Sequence, residues 1–219
     1  MDKHDVSVVM ISWSPTQSRL NVLKRSMESL LKCTTSPYEL IVVDNGPSCQ
    51  TEYLKSCKID NYINPGLNVG VGRARNLGAA ATDSPYIAFV DSDLEYFDGW
   101  LDKCVSILKK MDRWPLIATP HKSNPMKRRS CCVGALGKYL LFNRCGGGCV
   151  VIRRMDFERI GPWAEHSTPG GNYCDRARDL RYAYIWSPDW KVRHLCKHSS
   201  YNHKKILVNG QWIIRTKEI

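Results

Sequence analysis

The chain has 219 residues, 43% of them hydrophobic and 24% charged, with 32 Lys and Arg against 21 Asp and Glu for a formal charge of +11. That length allows one sizeable core, and the balance is that of an ordinary globular protein without low-complexity segments or repeats. No apolar run reaches the roughly 18 residues of a membrane span, and the polar start Met1-Asp2-Lys3-His4-Asp5 does not read as a signal peptide, so a cytoplasmic protein is expected.

Residues 6–12 (VSVVMIS) form a continuous apolar run, the mark of a strand buried on both faces of a parallel sheet. Within 18–32, Leu20, Leu23, Met27, Leu30 and Leu31 recur at helical spacing. A second buried strand, 38–43, ends in Asp44-Asn45-Gly46. A short helix over 50–57, a short strand over 61–63 and a helix over 71–81 follow, the last entered from the loop 64–70. The strand 85–90 ends in Asp91-Ser92-Asp93, and a helix is expected from 99 to 110. Strands alternating with helices predict a single α/β domain over 1–219, with a mostly parallel central sheet flanked by helices.

The second half is less regular. A strand is expected over 116–119, a basic loop over 121–138, and a strand entered through Gly146-Gly147-Gly148 and running to Ile152. A short helix over 154–160, a loop over 162–173, a helix over 175–182 and a strand-like piece over 184–186 come next. Residues 194–219 read as a polar tail with one strand-like piece at 211–214.

The excess positive charge lies largely beyond residue 100, in 122–129, Arg153-Arg154, 176–181 and 191–205. It favours a polyanionic partner: nucleic acid, anionic lipid headgroups, or an acidic glycan or nucleotide. Ten scattered cysteines include no Cys-x-x-Cys pair, and Cys145-x-x-x-Cys149 is the nearest approach to a zinc half-site. Most are expected to be free, buried thiols in a reducing compartment.

Asp91 and Asp93 carry the chemistry. Residues at i and i+2 share one side of a strand, so the two carboxylates can converge at its C-terminal end. There they either share a divalent cation, Mg²⁺ or Mn²⁺, completed by a substrate's phosphate oxygens, or form a solvated turn. Asp44 ends on the same edge, where open α/β sheets bind ligands. The segment Asn68-Val69-Gly70-Val71-Gly72-Arg73-Ala74-Arg75-Asn76 joins permissive glycines, two arginines and a helix start, which together suit phosphate. Its alternative is a simple turn with a cap.

In this order, VSVVMISW, ELIVVDNGPS, NPGLNVGVGRARNLGAAATDSPYIAFVDSDLEY, GGGCVVIRRMDFERIGPW and SPDWKVRH resemble the nucleotide-diphospho-sugar glycosyltransferases of the GT-A (Rossmann-like) fold, in particular the family-2-like group. The resemblance covers about 6–198. It implies a nucleotide-binding half at about 1–98 and an acceptor half at about 99–219. By resemblance, Met10, Ile11, Ser12 and Asp44 hold the nucleoside, and Asn68, Gly70, Arg75 and Asn76 border the diphosphate and donor sugar. Asp91-Ser92-Asp93 is the DxD motif, with Asp93 the expected direct metal ligand and Asp91 also reaching the ribose. Gly147 and Gly148 lie beside the donor sugar. His194 matches a histidine that completes the metal site in polypeptide GalNAc-transferase-like relatives, which are retaining enzymes.

One departure concerns the base. Inverting family-2 enzymes present Glu-Asp or Asp-Asp after the loop, whereas this chain reads Gly170-Gly171-Asn172-Tyr173-Cys174-Asp175. Asp175 is the candidate base, with Asp179 and Glu165 behind it, and its alternative role is a helix N-cap. Trp163, Trp186, Trp190 and Tyr173 either stack on sugar or base faces or pack in the core. The donor is expected to be a nucleotide sugar, most commonly of uridine. The acceptor is a hydroxyl on a glycan, a lipid-linked glycan or hydroxymethylated DNA. The rival readings are nucleotidyl transfer at the same site and a basic nucleic-acid-binding module.

Overall fold

The computed structural model describes residues 4–46, 49–120, 131–165, 169–196, 202–208 and 211–217. Strand β1 (Val6–Ser12) is buried along its whole length. Val6, Val8 and Met10 enter one core and Val9 and Ile11 the other, the period of two that a doubly covered strand requires. Strands β2 (Glu39–Asp44) and β4 (Tyr86–Asp91) flank β1 in parallel, which sets Asp44 beside Ser12 and Asp91 beside Ile11. Strand β3 (Asn61–Ile63) forms the edge beyond β2.

On the other side of β4 the sheet continues through β9 (Cys149–Arg153), β6 (Leu116–Ala118), β10 (Ala183–Trp186), β8 (Tyr139–Phe142) and β7 (Cys132–Leu136). Strands β9 and β8 run against the rest, so the sheet is mixed but mostly parallel in strand direction. The antiparallel β9 brings the Gly146–Gly148 turn back to the C-terminal end of β4, where Val90 pairs with Cys149.

Helices α1 (Gln17–Cys33), α2 (Thr51–Ser56) and α4 (Trp100–Lys110) cover one face; α3 (Val71–Ala80), α5 (Arg154–Ile160) and α6 (Pro169–Asp179) cover the other. Leu20, Leu23, Met27 and Leu30 form the buried stripe of α1, and the Thr16 side chain accepts from the Arg19 amide at its start. Helix α3 comes unusually near β1: a Cβ at Gly78 would lie 2.2 Å from Val9 Cγ1, a distance no side chain can occupy. Arg153, at the end of β9, is buried and closes α4. Its guanidinium donates to the carbonyl oxygens of Leu108, Met111, Asp112 and Trp114 and to the Asp156 carboxylate.

The expected strands and helices of the first 120 residues are all present. Beyond them several expectations are corrected. Within the expected loop at 121–138, residues 132–136 form β7, which pairs with β8 just beyond it; residues 121–130, with the basic run 122–129, lie outside the described residues. Helix α6 begins at Pro169, inside the expected loop, and not at 175. Pro suits the first turn because it has no N–H to lose there. Strand β5 (Leu94–Tyr96) pairs with β11 (Val192–His194), which sets His194 beside Leu94. The expected polar tail holds a second hairpin, β12 (Asn202–Val208) with β13 (Gln211–Lys217). All ten cysteines are free, but only Cys104, Cys149 and Cys174 are fully buried, fewer than expected. Among the described residues no helix is long and apolar enough to cross a membrane.

Candidate active site

The C-terminal ends of β1, β2 and β4 meet the Gly146–Gly148 turn on one edge of the sheet. Asp44 is fully buried there and is saturated from within. Its Oδ2 accepts from Thr51 Oγ1 at 2.7 Å, Tyr62 OH at 2.6 Å and Asn64 Nδ2 at 3.1 Å, while Gln50 Nε2 donates to Oδ1. Ser12 Oγ donates to Gln50 Oε1 at 2.8 Å. Ser12 and Asp44 thus spend their side chains on the segment after β2. Burial first, and the bond to Asp44 second, push the Tyr62 phenol above its usual range.

Asn45, which sequence reasoning passed over beside Asp44, holds the glycine loop. Its Oδ1 accepts from the Val69 amide at 2.9 Å, and its Nδ2 donates to Asn68 Oδ1 at 3.3 Å. Asn68 Oδ1 also accepts from the Gly70 amide at 2.9 Å. Gly70, at φ +83°, opens α3 in a conformation that favours glycine.

From α3, Arg75 reaches the strand ends. It is 3% exposed, and its Nη2 donates both to Asp91 Oδ1 at 2.8 Å and to the Gly147 carbonyl at 2.7 Å. Asn76 faces the other way. Its Oδ1 accepts from the Trp163 amide at 2.8 Å and its Nδ2 donates to the Trp163 carbonyl at 2.9 Å.

Asp91 donates its amide to the Gly148 carbonyl at 2.8 Å. A Cβ on Gly148 would stand 3.0 Å from Asp91 Oδ2, 3.4 Å from His194 Cε1 and 3.5 Å from His194 Nε2. A carboxylate oxygen and an imidazole nitrogen thus lie on the space that a side chain at Gly148 would fill. The other ring nitrogen, Nδ1, faces Asp93 Oδ1 at 3.3 Å. Ser92 lies in the turn between the two aspartates.

The charges of this cluster act on one another. Burial pushes the Asp91 carboxyl up against the opposing pull of Arg75. Burial alone would raise Asp93 too, but the hydrogen bond and charge of His194 bring it below its usual value. Burial would lower His194, and its bond to Asp93 outweighs that and raises it. Among the described residues no three His, Cys, Asp or Glu side chains form a ready-made metal cage. The donor set nonetheless suits a divalent cation bound from one side: Asp91 Oδ2 and His194 Nε2 both border the space that a Gly148 side chain would take, and Asp93 Oδ1 faces the other ring nitrogen. Carboxylate-oriented imidazole is a recurrent metal ligand, and Mg²⁺ and Mn²⁺ commonly take their remaining oxygens from phosphate.

The acceptor-side expectations fare differently. Asp175 lies well inside α6 and so does not cap a helix; it is ion-paired with Arg144 and, at 3.1 Å, with Arg178. Asp179 is the last residue of α6 and pairs with Arg178 at 3.3 Å. The first turn of α6 carries no acidic residue, although it comes up to the Gly146–Gly148 turn: a Cβ on Gly170 would lie 4.0 Å from the Gly147 amide nitrogen. Glu165 is exposed. Trp163, Trp186, Trp190 and Tyr173 are all buried, so none presents a face for a sugar or base to stack on.

The model of glycosyl transferase family 2 matches residues 7–129. An uncharacterized glycosyltransferase of Rickettsia bellii is 37% identical over 100 residues, 44% of this chain and 14% of that protein. A pre-mycofactocin glycosyltransferase of Mycobacterium tuberculosis is 33% identical over 102 residues, 45% of this chain and 20% of that protein. The chain thus matches only a fraction of the length of these relatives.

Two solved structures share the fold at low identity. GalNAc-T7 with UDP, GalNAc and Mn²⁺ has a TM-score of 0.67 at 15% identity, over 86% of this chain and 43% of that one. A mannosyltransferase from Pyrobaculum calidifontis, in complex with GDP-Man and Mn²⁺, has a TM-score of 0.68 at 12% identity, over 90% of this chain and 58% of that one. The architecture is therefore GT-A. Because the family match runs over more than half of the chain, from β1 through the paired aspartates, the chain belongs to glycosyl transferase family 2.

Proposed function

We propose that this chain transfers a glycosyl group from a nucleoside-diphosphate sugar to an acceptor hydroxyl with the help of a divalent cation. The observation that carries the reading is the convergence of Asp91 Oδ2 and His194 Nε2 around the bare Cα of Gly148. Mn²⁺ or Mg²⁺ bound there would neutralise charge developing on the departing diphosphate. The chain's own residues do the positioning. Asp91 and His194 supply the ligands, and Asp93 keeps His194 Nε2 aimed at the gap. The donor's nucleoside end lies towards Ser12, Asp44 and Asn68, in the half at about 1–98, and Gly70 gives α3 an open N-terminal turn towards the diphosphate.

On this reading Asp91 is the direct ligand and Asp93 orients the imidazole, where the resemblance implied direct ligation by Asp93. Support for nucleotide-sugar chemistry comes from family membership and from neighbours of the same fold bound to UDP and to GDP-Man. The +11 charge supports an anionic acceptor.

The test is hydrolysis and transfer with a panel of UDP- and GDP-sugars, offered hydroxymethylated DNA, anionic glycans and lipid-linked glycans in turn. At least one donor should be consumed with Mn²⁺, and EDTA should reduce the rate at least a hundredfold. Undiminished turnover in EDTA would remove the cation, and release of pyrophosphate would indicate nucleotidyl transfer instead.

On the acceptor side we assign Asp175 as the proton acceptor, with Asp179 behind it. A general base contributes about 10²–10⁴-fold, so Asp175→Asn should slow transfer by at least about a hundredfold with unchanged donor KM. Transfer within threefold of the parent would leave the Asp175 carboxylate as a surface partner of Arg144 and Arg178 only.

A further inference from the structure

Arg75 is held in an incomplete way. Among the described residues Nη2 alone makes hydrogen bonds, to Asp91 and to the Gly147 carbonyl, and Nε is buried without a partner. The two bonds hold the Nη2 corner of the guanidinium and leave its Nε edge without a hydrogen bond. That edge is steadied by what packs against the flat face of the group.

The indole of Trp163 lies against that face, with the guanidinium carbon 4.4 Å from the ring centroid. Tyr173 stacks on the indole with centroids 4.0 Å apart and planes at 18°, and Phe89 meets it edge-on at 5.5 Å. The indole is 3% exposed, and its Nε1 has no partner among the described residues, so it serves as a face and not as a donor. Asn76, the neighbour of Arg75 on α3, grips the Trp163 backbone through both ends of its carboxamide across 87 residues of sequence. One turn of α3 thus holds the tryptophan by its backbone and lays an arginine upon its ring. Gly147 completes the packing: a Cβ there would stand 3.0 Å from Arg75 Nη1 and 3.6 Å from the indole.

We propose that Trp163 is a positioning residue: its ring sets the plane of the Arg75 guanidinium, which ties Asp91 to the Gly147 carbonyl and so fixes the cation-facing oxygen of Asp91. The indole touches no substrate. Its effect passes through Arg75 to the donor side of the site, and the proposal rests on the metal-dependent donor reading given above.

Trp163→Phe keeps a flat face, whereas Trp163→Leu keeps apolar volume without one. In the ligand-free protein, the Arg75 side-chain N–H resonances, identified by their loss in Arg75→Lys, should be resolved in the parent and in Trp163→Phe. They should broaden in Trp163→Leu as the guanidinium rotates freely. By calorimetry with UDP and with GDP, added Mn²⁺ should tighten nucleotide binding in the parent and in Trp163→Phe. In Trp163→Leu that gain should shrink about tenfold, with affinity in EDTA unchanged.

Arg75→Lys should show the same loss, and the double variant should lose no more than either single one. A folded Trp163→Leu with parent-like arginine resonances and a full Mn²⁺ gain would overturn the proposal. Should Trp163→Leu not fold, failure of Arg75→Lys to reduce the Mn²⁺ gain would overturn it equally. If the parent binds neither nucleotide, the functional reading falls, and the resonances still decide whether Trp163 positions Arg75.

Discussion

Asp91→Asn is expected to slow donor turnover by about a thousandfold at saturating Mn²⁺. A cation supplies several kcal/mol of transition-state stabilisation, and each ~1.4 kcal/mol is tenfold in rate. The substitution is isosteric. The backbone bond from residue 91 to the Gly148 carbonyl survives, and the amide oxygen can still accept from Arg75 Nη2. The lost charge is the one facing the gap above Gly148, so the defect should appear in turnover and in Mn²⁺ affinity while the far-ultraviolet circular dichroism stays that of the parent. Asp93→Asn should cost less, about 10–100-fold in Mn²⁺ affinity, because it acts by orienting His194. A larger loss for Asp93→Asn than for Asp91→Asn would reverse this division of labour.

The largest effect on stability is expected at Arg153, far from the chemistry. Arg153 and Asp156 form a buried ion pair, and the same guanidinium donates to four carbonyl oxygens at and beyond the C-terminus of α4. Arg153→Met retains the apolar stem but strips those carbonyls of their donor and leaves the Asp156 carboxylate with the Tyr182 hydroxyl alone, at 2.7 Å, among these partners. Removing one member of a buried pair costs about 3–5 kcal/mol. For a chain of this size that corresponds to a melting temperature lower by about 10 °C, read by scanning calorimetry. A fall of under 2 °C would mean that water satisfies the α4 terminus without Arg153.

Much of the fold was legible because β1, β2 and β4 are covered on both faces and so read as unbroken apolar runs ending in Asp or Ser. The hairpin β7–β8 left no such trace. Its outer strand carries Cys132, Val133, Gly134, Ala135 and Leu136 at a largely exposed sheet edge, where no face selects a pattern. The start of α6 was concealed by Pro169-Gly170-Gly171, which reads as a turn. The nearness of Gly170 to the Gly147 backbone shows what small residues serve there.

The candidate site divides in the same way. The i, i+2 spacing of Asp91 and Asp93 identified a pair of carboxylates at a strand end, and the resemblance identified His194 with them. Neither could say which carboxylate faces the gap and which faces the ring. That follows from β11 pairing with β5, which brings His194 to Asp93 across 101 residues.

By itself, the sequence determined where the chain is buried, where its strands end and which charges stand at those ends, since each is a matter of neighbouring residues and their period. Only the tertiary structure decided that Arg75 joins Asp91 to Gly147, that Asn76 holds the Trp163 backbone while the indole lies against Arg75, and that Asp175 is held by arginines. Those partners are chosen by the order of strands in the sheet and the helices that cover it, a long-range arrangement that no local pattern of residues encodes.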